Sequence, residues 1–353
     1  MGLRRLMREV KEFPKQGPLA LHVPDESTVH RLKAMIFGPE DTAYAGGIFI
    51  FDVDVGSEYP LKPPSMLLVT TNAGRTRFNP NLYARGKVCV TILGTFGGRD
   101  KWSPAMRLDG VLTSVQSLMT ADPFHNEPGF EKCQHGKPLE GALRTAPKSD
   151  CDWYTAKITH EVIRVAALHQ TVAILLAQAA RSGGGGLVGA VRAMLPAAMG
   201  GSGGGGRGGG DVRVELAPLI AEMATTSTHV PELWHERCLR HFVASCPSML
   251  ATCDALSRHC DGRAFVVTRF EGPDNQCTGK FYFTQLRQWL VAAKRFAEAA
   301  LSPVAETESP AVAGSPPAAQ APAATTCDDS GEPPLSRRRV ESGTGAAAAP
   351  PAP

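Results

Sequence analysis

The sequence is short of what several protein classes require. Its formal net charge of +3 over 353 residues is too balanced for the electrostatic footprint of a nucleic-acid binder, so no nucleic-acid partner is expected. No Cys-x-x-Cys pair occurs among its nine cysteines, which leaves a zinc site without its usual paired ligands, and no metal is expected. The cysteine count is odd and no signal-peptide pattern opens the chain. Free thiols in a reducing compartment, cytoplasmic and nuclear, are the expectation. The most apolar stretch, 162–180, is interrupted by Arg164, His169 and Gln170 and followed by Arg181, so it reads as a buried or amphipathic helix and no membrane partner is expected. Leu6 stands where an N-myristoylation signal needs Ser or Thr. The glycine runs at 183–186 and 200–210 lack a Gly-x-x-x-x-Gly-Lys phosphate loop and read as flexible linker.

What is present centres on residues 78–89, Phe-Asn-Pro-Asn-Leu-Tyr-Ala-Arg-Gly-Lys-Val-Cys. A polar turn is followed, eight residues after Asn81, by Cys89 at the start of a short apolar run. A nucleophilic thiol needs access and polar donors that steady the oxyanion formed as an acyl group arrives or leaves. Asn81 can supply such a donor. Arg85 and Lys87 place positive charge near the sulfur, which favours thiolate. The plainer reading makes Cys89 a buried small hydrophobe in a strand, as most free cysteines are.

Tyr59-Pro60-Leu61-Lys62-Pro63-Pro64 precedes the turn, and Ile92-Leu93 and Trp102-Ser103-Pro104-Ala105 follow the cysteine. In order and spacing these motifs resemble the catalytic domain of ubiquitin-conjugating enzymes. The family's His-Pro-Asn reads Asn79-Pro80-Asn81 here, and its active cysteine falls on Cys89. His125-Asn-Glu-Pro-Gly-Phe-Glu131 and Thr159-His-Glu-Val-Ile-Arg-Val165 extend the likeness to larger members with a C-terminal extension. The segment between the cysteine and the tryptophan is longer than the family's common pattern, which gives the gate beside the thiol its own shape.

The resemblance implies an α+β domain with a four-stranded antiparallel sheet and flanking helices. Its cargo is ubiquitin, held as a thioester on Cys89, and a ubiquitin-like modifier of two ubiquitin folds is a second candidate cargo. No cofactor is implied, since ATP is consumed upstream by the activating enzyme, which here is a non-standard one. The remaining partners are ubiquitin ligases and protein substrates. Asn81 holds the oxyanion or the loop that shapes it, and Asn79 has a structural role in the turn. Glu127 matches an acidic residue that in some members orients the lysine amine and helps remove its proton; a solvated loop carboxylate is the alternative.

Local patterns supply the elements. Residues 2–13 read as a helix with Leu3, Leu6, Met7, Val10 and Phe13 on one face and a basic stripe of Arg4, Arg8, Lys11 and Lys15 on another. By resemblance that stripe, chiefly Arg4, Arg8 and Lys11, meets the activating enzyme. Strands are expected at 31–37, 48–55 and 66–70, and helices at 104–120 and 153–180. In the second half, 231–243, 248–259 and 284–299 are helical candidates, with Cys246, Cys253 and Cys260 at heptad spacing on buried faces. From 302 onward the Ala, Pro, Ser and acidic composition lacks an apolar period and is read as disordered, with Arg337 to Arg339 a weak basic patch. The expected organisation is a catalytic domain over 1–180, a linker over 183–211, a helical extension over 212–300 and a disordered tail over 301–353.

Two other functions stay open. One is a catalytically inert ubiquitin-binding variant of the same fold, although such variants lack the cysteine. The other is a cysteine hydrolase that uses Cys89 with His125 as base and Asn126 as its orienter.

Overall fold

The computed structural model describes residues 2–95, 102–131, 147, 149–181, 219–220, 230–265, 272 and 278–302. The expected linker, the tail beyond 302 with its basic patch, and most of the longer segment after Cys89 lie outside these residues.

Strands β1 (Leu19–His22), β2 (Arg31–Phe37), β3 (Ile48–Asp54) and β4 (Ser65–Leu68) form one antiparallel meander in chain order. Leu32, Ala34 and Ile36 on β2 lie on the face that also carries Phe49, Phe51 and Val53 of β3, as the register Ala34 to Phe51 and Ile36 to Phe49 requires. On this inner face the sheet packs against α1 (Gly2–Glu12), α2 (Leu108–Gln116) and the first half of the long helix α3 (Asp150–Arg181).

The outer face is covered as well. Ala20, Met35, Phe37, Ile48 and Ile50 are buried in a second cluster with the distal half of α3 and with α4 (His235–Cys260) and α5 (Phe283–Leu301). Cys238 Sγ lies 3.4 Å from Met35 Sδ, and the His241 ring stacks on Phe37 with centroids 3.9 Å apart. The helices of the second half thus share a core with the sheet. The apolar window of α3 that is long enough to cross a membrane is 78% buried within the protein.

Several boundaries differ from expectation for physical reasons. β1 was not anticipated, because four residues give too little alternation to read. α2 begins at Leu108 and not at Pro104, since Arg5 donates to the carbonyls of Pro104 and Met106, while Glu9 Oε2 accepts the Leu108 N–H at 2.9 Å and caps the helix there. On α1 the expected apolar stripe is narrower. Leu6 and Phe13 are buried, Leu3 and Met7 are exposed, and the buried place between is taken by Glu9, which also accepts from Arg5 and from the Tyr59 hydroxyl.

α3 starts from a Ser149 and Asp152 capping box and passes through a π segment, Val162–His169, before resuming as α-helix. The two helices expected at 231–243 and 248–259 are one helix that runs through Pro247. A proline inside a helix costs about 3 kcal/mol or more. Here it sits on the exposed side, and the buried row Phe242, Cys246, Met249 and Cys253 continues across it.

Candidate active site

The thiol-bearing segment is shaped by a network of backbone bonds. Leu82 N–H donates to the Asn79 carbonyl at 3.0 Å, Phe78 N–H to Leu82 at 3.1 Å, and Tyr83 N–H to Lys87 at 3.0 Å, folding 78–88 into a compact double turn. Gly86 sits at φ 86 and its carbonyl accepts the Leu68 N–H at 2.7 Å, which fastens the turn to β4. A Cβ at Gly86 would stand 2.5 Å from the Leu68 oxygen, so only glycine fits that approach. Beyond the cysteine, Thr95 Oγ1 donates to the Val88 carbonyl and accepts the Val90 N–H, closing the loop from the other side.

Cys89 itself is 3% exposed. The sequence reading required a reachable thiol, and in this conformation its immediate surroundings cover it. Its N–H donates to the Asn81 carbonyl at 2.8 Å, and Asn81 Nδ2 donates back to the Cys89 carbonyl at 2.8 Å. The Asn81 carboxamide therefore grips the backbone at Cys89.

Asn79 is fully buried. Its Nδ2 donates to the Tyr44 hydroxyl at 2.7 Å and to the Leu118 carbonyl at 2.9 Å, and its Oδ1 accepts the Asn81 N–H at 2.9 Å. It ties the turn to the end of α2. Asn126 Nδ2 donates to the same Leu118 carbonyl and to Asn79 Oδ1. The amide that would orient His125 in a hydrolase is thereby committed to the turn.

Two residues that sequence reasoning passed over complete the site. Arg77, 2% exposed, donates to the Asn79 carbonyl at 3.1 Å and to the Pro80 carbonyl at 2.6 Å, and its guanidinium lies 4.4 Å from the centre of the Tyr83 ring. The Cys89 sulfur in turn acts on Tyr83. Burial first, and the neighbouring sulfur second, push the Tyr83 hydroxyl up, while the Arg77 cation opposes them. The only signal for either residue was adjacency to the turn.

Glu127 follows a short 3-10 turn at Pro123–Asn126. Burial raises its carboxyl above the usual range against the pull of Arg77. The Glu127 charge also acts on Tyr83. The structure therefore gathers Cys89, Asn81, Tyr83, Arg77 and Glu127 into one electrostatic neighbourhood. Lys87 Nζ lies 5.6 Å from the Tyr83 ring centre. Among the described residues no group of three His, Cys, Asp or Glu side chains gathers as a metal site.

On α1 the basic residues Arg4, Arg8 and Lys11 are exposed. On the adjoining loop, Trp102 Nε1 donates to the Pro60 carbonyl at 2.7 Å, and Leu61 projects with 74% exposure.

The profile of the ubiquitin-conjugating enzyme family matches residues 5–136. Ubiquitin-conjugating enzyme E2 Z of Xenopus tropicalis is 44% identical over 163 residues, covering 46% of this chain and 48% of that protein. The Homo sapiens E2 Z is 43% identical over 165 residues, covering 46% and 43%. The match thus spans less than half the length of these curated relatives. A solved E2 domain of a Toxoplasma gondii ubiquitin conjugating enzyme is 30% identical, covering 36% of this chain and 79% of that one with a TM-score of 0.30. Residues 5–136, which hold the sheet, the turn and the thiol, thus form a domain of the ubiquitin-conjugating enzyme family.

Proposed function

We propose that the chain accepts ubiquitin as a thioester on Cys89 from a ubiquitin-activating enzyme and passes it to a lysine amine or to a ligase. The observation that carries this reading is the two-way hydrogen-bonded pair between Asn81 and Cys89, which holds a thiol in a fixed backbone frame beside Tyr83, Arg77 and Glu127. In the transfer step the amine nitrogen attacks the thioester carbonyl and the new C–N bond forms through a tetrahedral oxyanion. The C–S bond then breaks, the sulfur leaves as thiolate, and the proton shed by the amine passes to the Glu127 carboxylate and on to solvent.

The protein's contribution is position and preorganised polarity. Asn81 shapes the loop on which the oxyanion develops. Opening of the cover over Cys89 belongs to the charging step, when the activating enzyme docks on the exposed basic face of α1 at Arg4, Arg8 and Lys11. That activating enzyme is the non-standard one of the resemblance, and the two-fold ubiquitin-like modifier is a second cargo. The exposed apolar side chains Leu3, Met7 and Leu61 offer ligases a docking surface. The place of action is the cytoplasm and nucleus, consistent with the free buried thiols.

The test is incubation of the purified chain with ubiquitin, ATP and each ubiquitin-activating enzyme, followed by a non-reducing gel beside Cys89→Ala. A ubiquitin-sized shift lost on reduction and in the variant is the expected result. No shift with either enzyme would make the chain an inert ubiquitin-binding variant, and thioester cleavage without any acceptor amine would favour a hydrolase.

A further inference from the structure

The second-half helices are joined to the thiol segment by buried polar groups. At the start of α5 the Tyr282 N–H donates to His160 Nε2 at 3.2 Å, and the His160 ring is enclosed edge-on by Phe265, Phe281, Tyr282 and Phe283. Because Nε2 accepts, the ring proton sits on Nδ1, which lies 3.1 Å from Glu161 Oε1 and donates to it.

Glu161 is fully buried, and burial works against its charge. The Arg164 guanidinium, with the His160 and Arg164 hydrogen bonds, nonetheless holds it well below the ordinary carboxylate range. A further partner is Thr76, 85 residues earlier in the chain, whose hydroxyl donates to Glu161 Oε2 at 2.9 Å. Thr76 is 0% exposed and immediately precedes Arg77, the residue that holds the carbonyls of Asn79 and Pro80. The next residue, Asn81, is the one paired with Cys89.

A charged, buried acceptor makes a strong and directional bond, and leaving it unpaired costs more than the bond itself is worth. The hydroxyl of Thr76 is thus fixed by a carboxylate that cannot move without breaking its bonds to Arg164 and His160. We propose that Thr76 is a positioning residue for Cys89: anchored on Glu161, and through His160 on the backbone of α5, it sets where Arg77 holds the Asn79-Pro80-Asn81 turn. The helical extension is by this route part of the transfer site. The role rests on the transfer activity proposed above, and it is specific to the hydroxyl.

The test uses the full chain and three variants, Thr76→Val, Thr76→Ala and Thr76→Ser, each confirmed folded by its melting curve at the assay temperature. Two rates are measured, ubiquitin charging by the activating enzyme and single-turnover discharge from Cys89 to free lysine. Val and Ala charge normally but discharge about tenfold slower, and Ser recovers to within about twofold, a deficit smaller than the 10²-fold that an ångström of misplacement can cost.

A merely structural Thr76 behaves differently. Ala, which opens a cavity, is then worse than Val, which fills it, Ser gives no recovery, and the losses follow melting temperature; that pattern overturns the proposal, as does unchanged discharge in the folded variants. A readout independent of ubiquitin is the rate at which iodoacetamide alkylates Cys89, followed by mass spectrometry. A loosened turn makes it severalfold faster in Val and Ala than in the wild type or Ser, and equal rates overturn the positioning role. If the wild type accepts no ubiquitin, the proposed activity falls while the alkylation comparison still decides the role of Thr76.

Discussion

Asn81 and Cys89 hold each other by two hydrogen bonds, N–H of Cys89 to the carbonyl of Asn81 and Nδ2 of Asn81 to the carbonyl of Cys89, both at 2.8 Å. The second of these is the only one a side-chain substitution removes. Asn81→Ala leaves the Cys89 carbonyl without that donor, at a stability cost of about 1–2 kcal/mol, and lets the nucleophile's backbone drift. Discharge of ubiquitin to free lysine should fall by about 10- to 10²-fold, in the range expected when a reacting group is misplaced. Stopped reactions with pre-charged protein measure this. Discharge at the wild-type rate would show that the turn is rigid without the carboxamide.

Glu127 separates stability from activity. Burial raises its pKa in the folded chain above the unfolded value, with Arg77 opposing. The folded state therefore binds this proton more tightly than the unfolded one. The group's contribution to stability is present below the unfolded pKa and is lost as pH rises through the folded pKa. Glu127→Gln should then cost no thermal stability near neutral pH, where the ionised form is the disfavoured one. In the proposed reaction, transfer needs the ionised form. The wild type loses discharge rate as pH falls through a midpoint above the ordinary carboxylate range, superimposed on the ionisation of the acceptor amine. The variant should be slower by roughly 10²-fold and lack that acid limb, which a discharge profile between acid and mildly alkaline pH would reveal. A variant as fast as the wild type removes Glu127 from the reaction.

Gly86 is the point where the turn meets the sheet. At φ 86, with a Cβ 2.5 Å from the Leu68 carbonyl oxygen, alanine must both occupy the left-handed region and push the turn off β4. Gly86→Ala is expected to cost about 2–3 kcal/mol in urea unfolding. It should slow charging as well as discharge, because the whole 78–89 loop shifts. A change under about 0.5 kcal/mol, the ordinary range for a surface substitution, would show that the loop and β4 separate freely.

How much of this was legible follows from sequence distance. β2 and β3 show their alternation within seven residues each, and the turn and thiol lie within one short stretch, so the sheet and the candidate thiol segment could be read directly. Glu9 could not, because a carboxylate between Arg8 and Lys11 looks like a solvated face. The groups that bury it, Tyr59 and the Leu108 N–H, are 50 and 99 residues away. Thr76 was illegible for the same reason, its partner Glu161 lying 85 residues on, whereas the meaning of Arg77 depends on how the turn folds Asn79, Pro80 and Tyr83 back around it. Pro247 read as a helix boundary because local chemistry says so, whereas the buried row on either side of it decides otherwise.

That row makes a prediction about the extension. Phe242 is fully buried in the cluster that covers Met35, Phe37, Ile48 and Ile50 on the outer face of the sheet. Its truncation in Phe242→Ala should cost about 3–5 kcal/mol, measured by urea unfolding, and the loss should appear in a single transition that also reports on the catalytic half. A first transition that leaves the fluorescence of Trp102 unchanged would show that the two halves unfold separately.

The same helix carries thiols that should behave unlike a nucleophile. Burial pushes Cys238, Cys246 and Cys253 up to about 12 and Cys260 to about 11. The reactive species is the thiolate, and at neutral pH these groups hold almost none of it, behind side chains that also exclude reagent. Iodoacetamide applied to the folded chain should leave all four unmodified by peptide mass spectrometry, and full alkylation should appear only once urea has unfolded α4. Modification of Cys246 or Cys253 at a rate matching exposed thiols would mean that α4 lifts from the sheet in the native state, and the shared core would then be a transient arrangement.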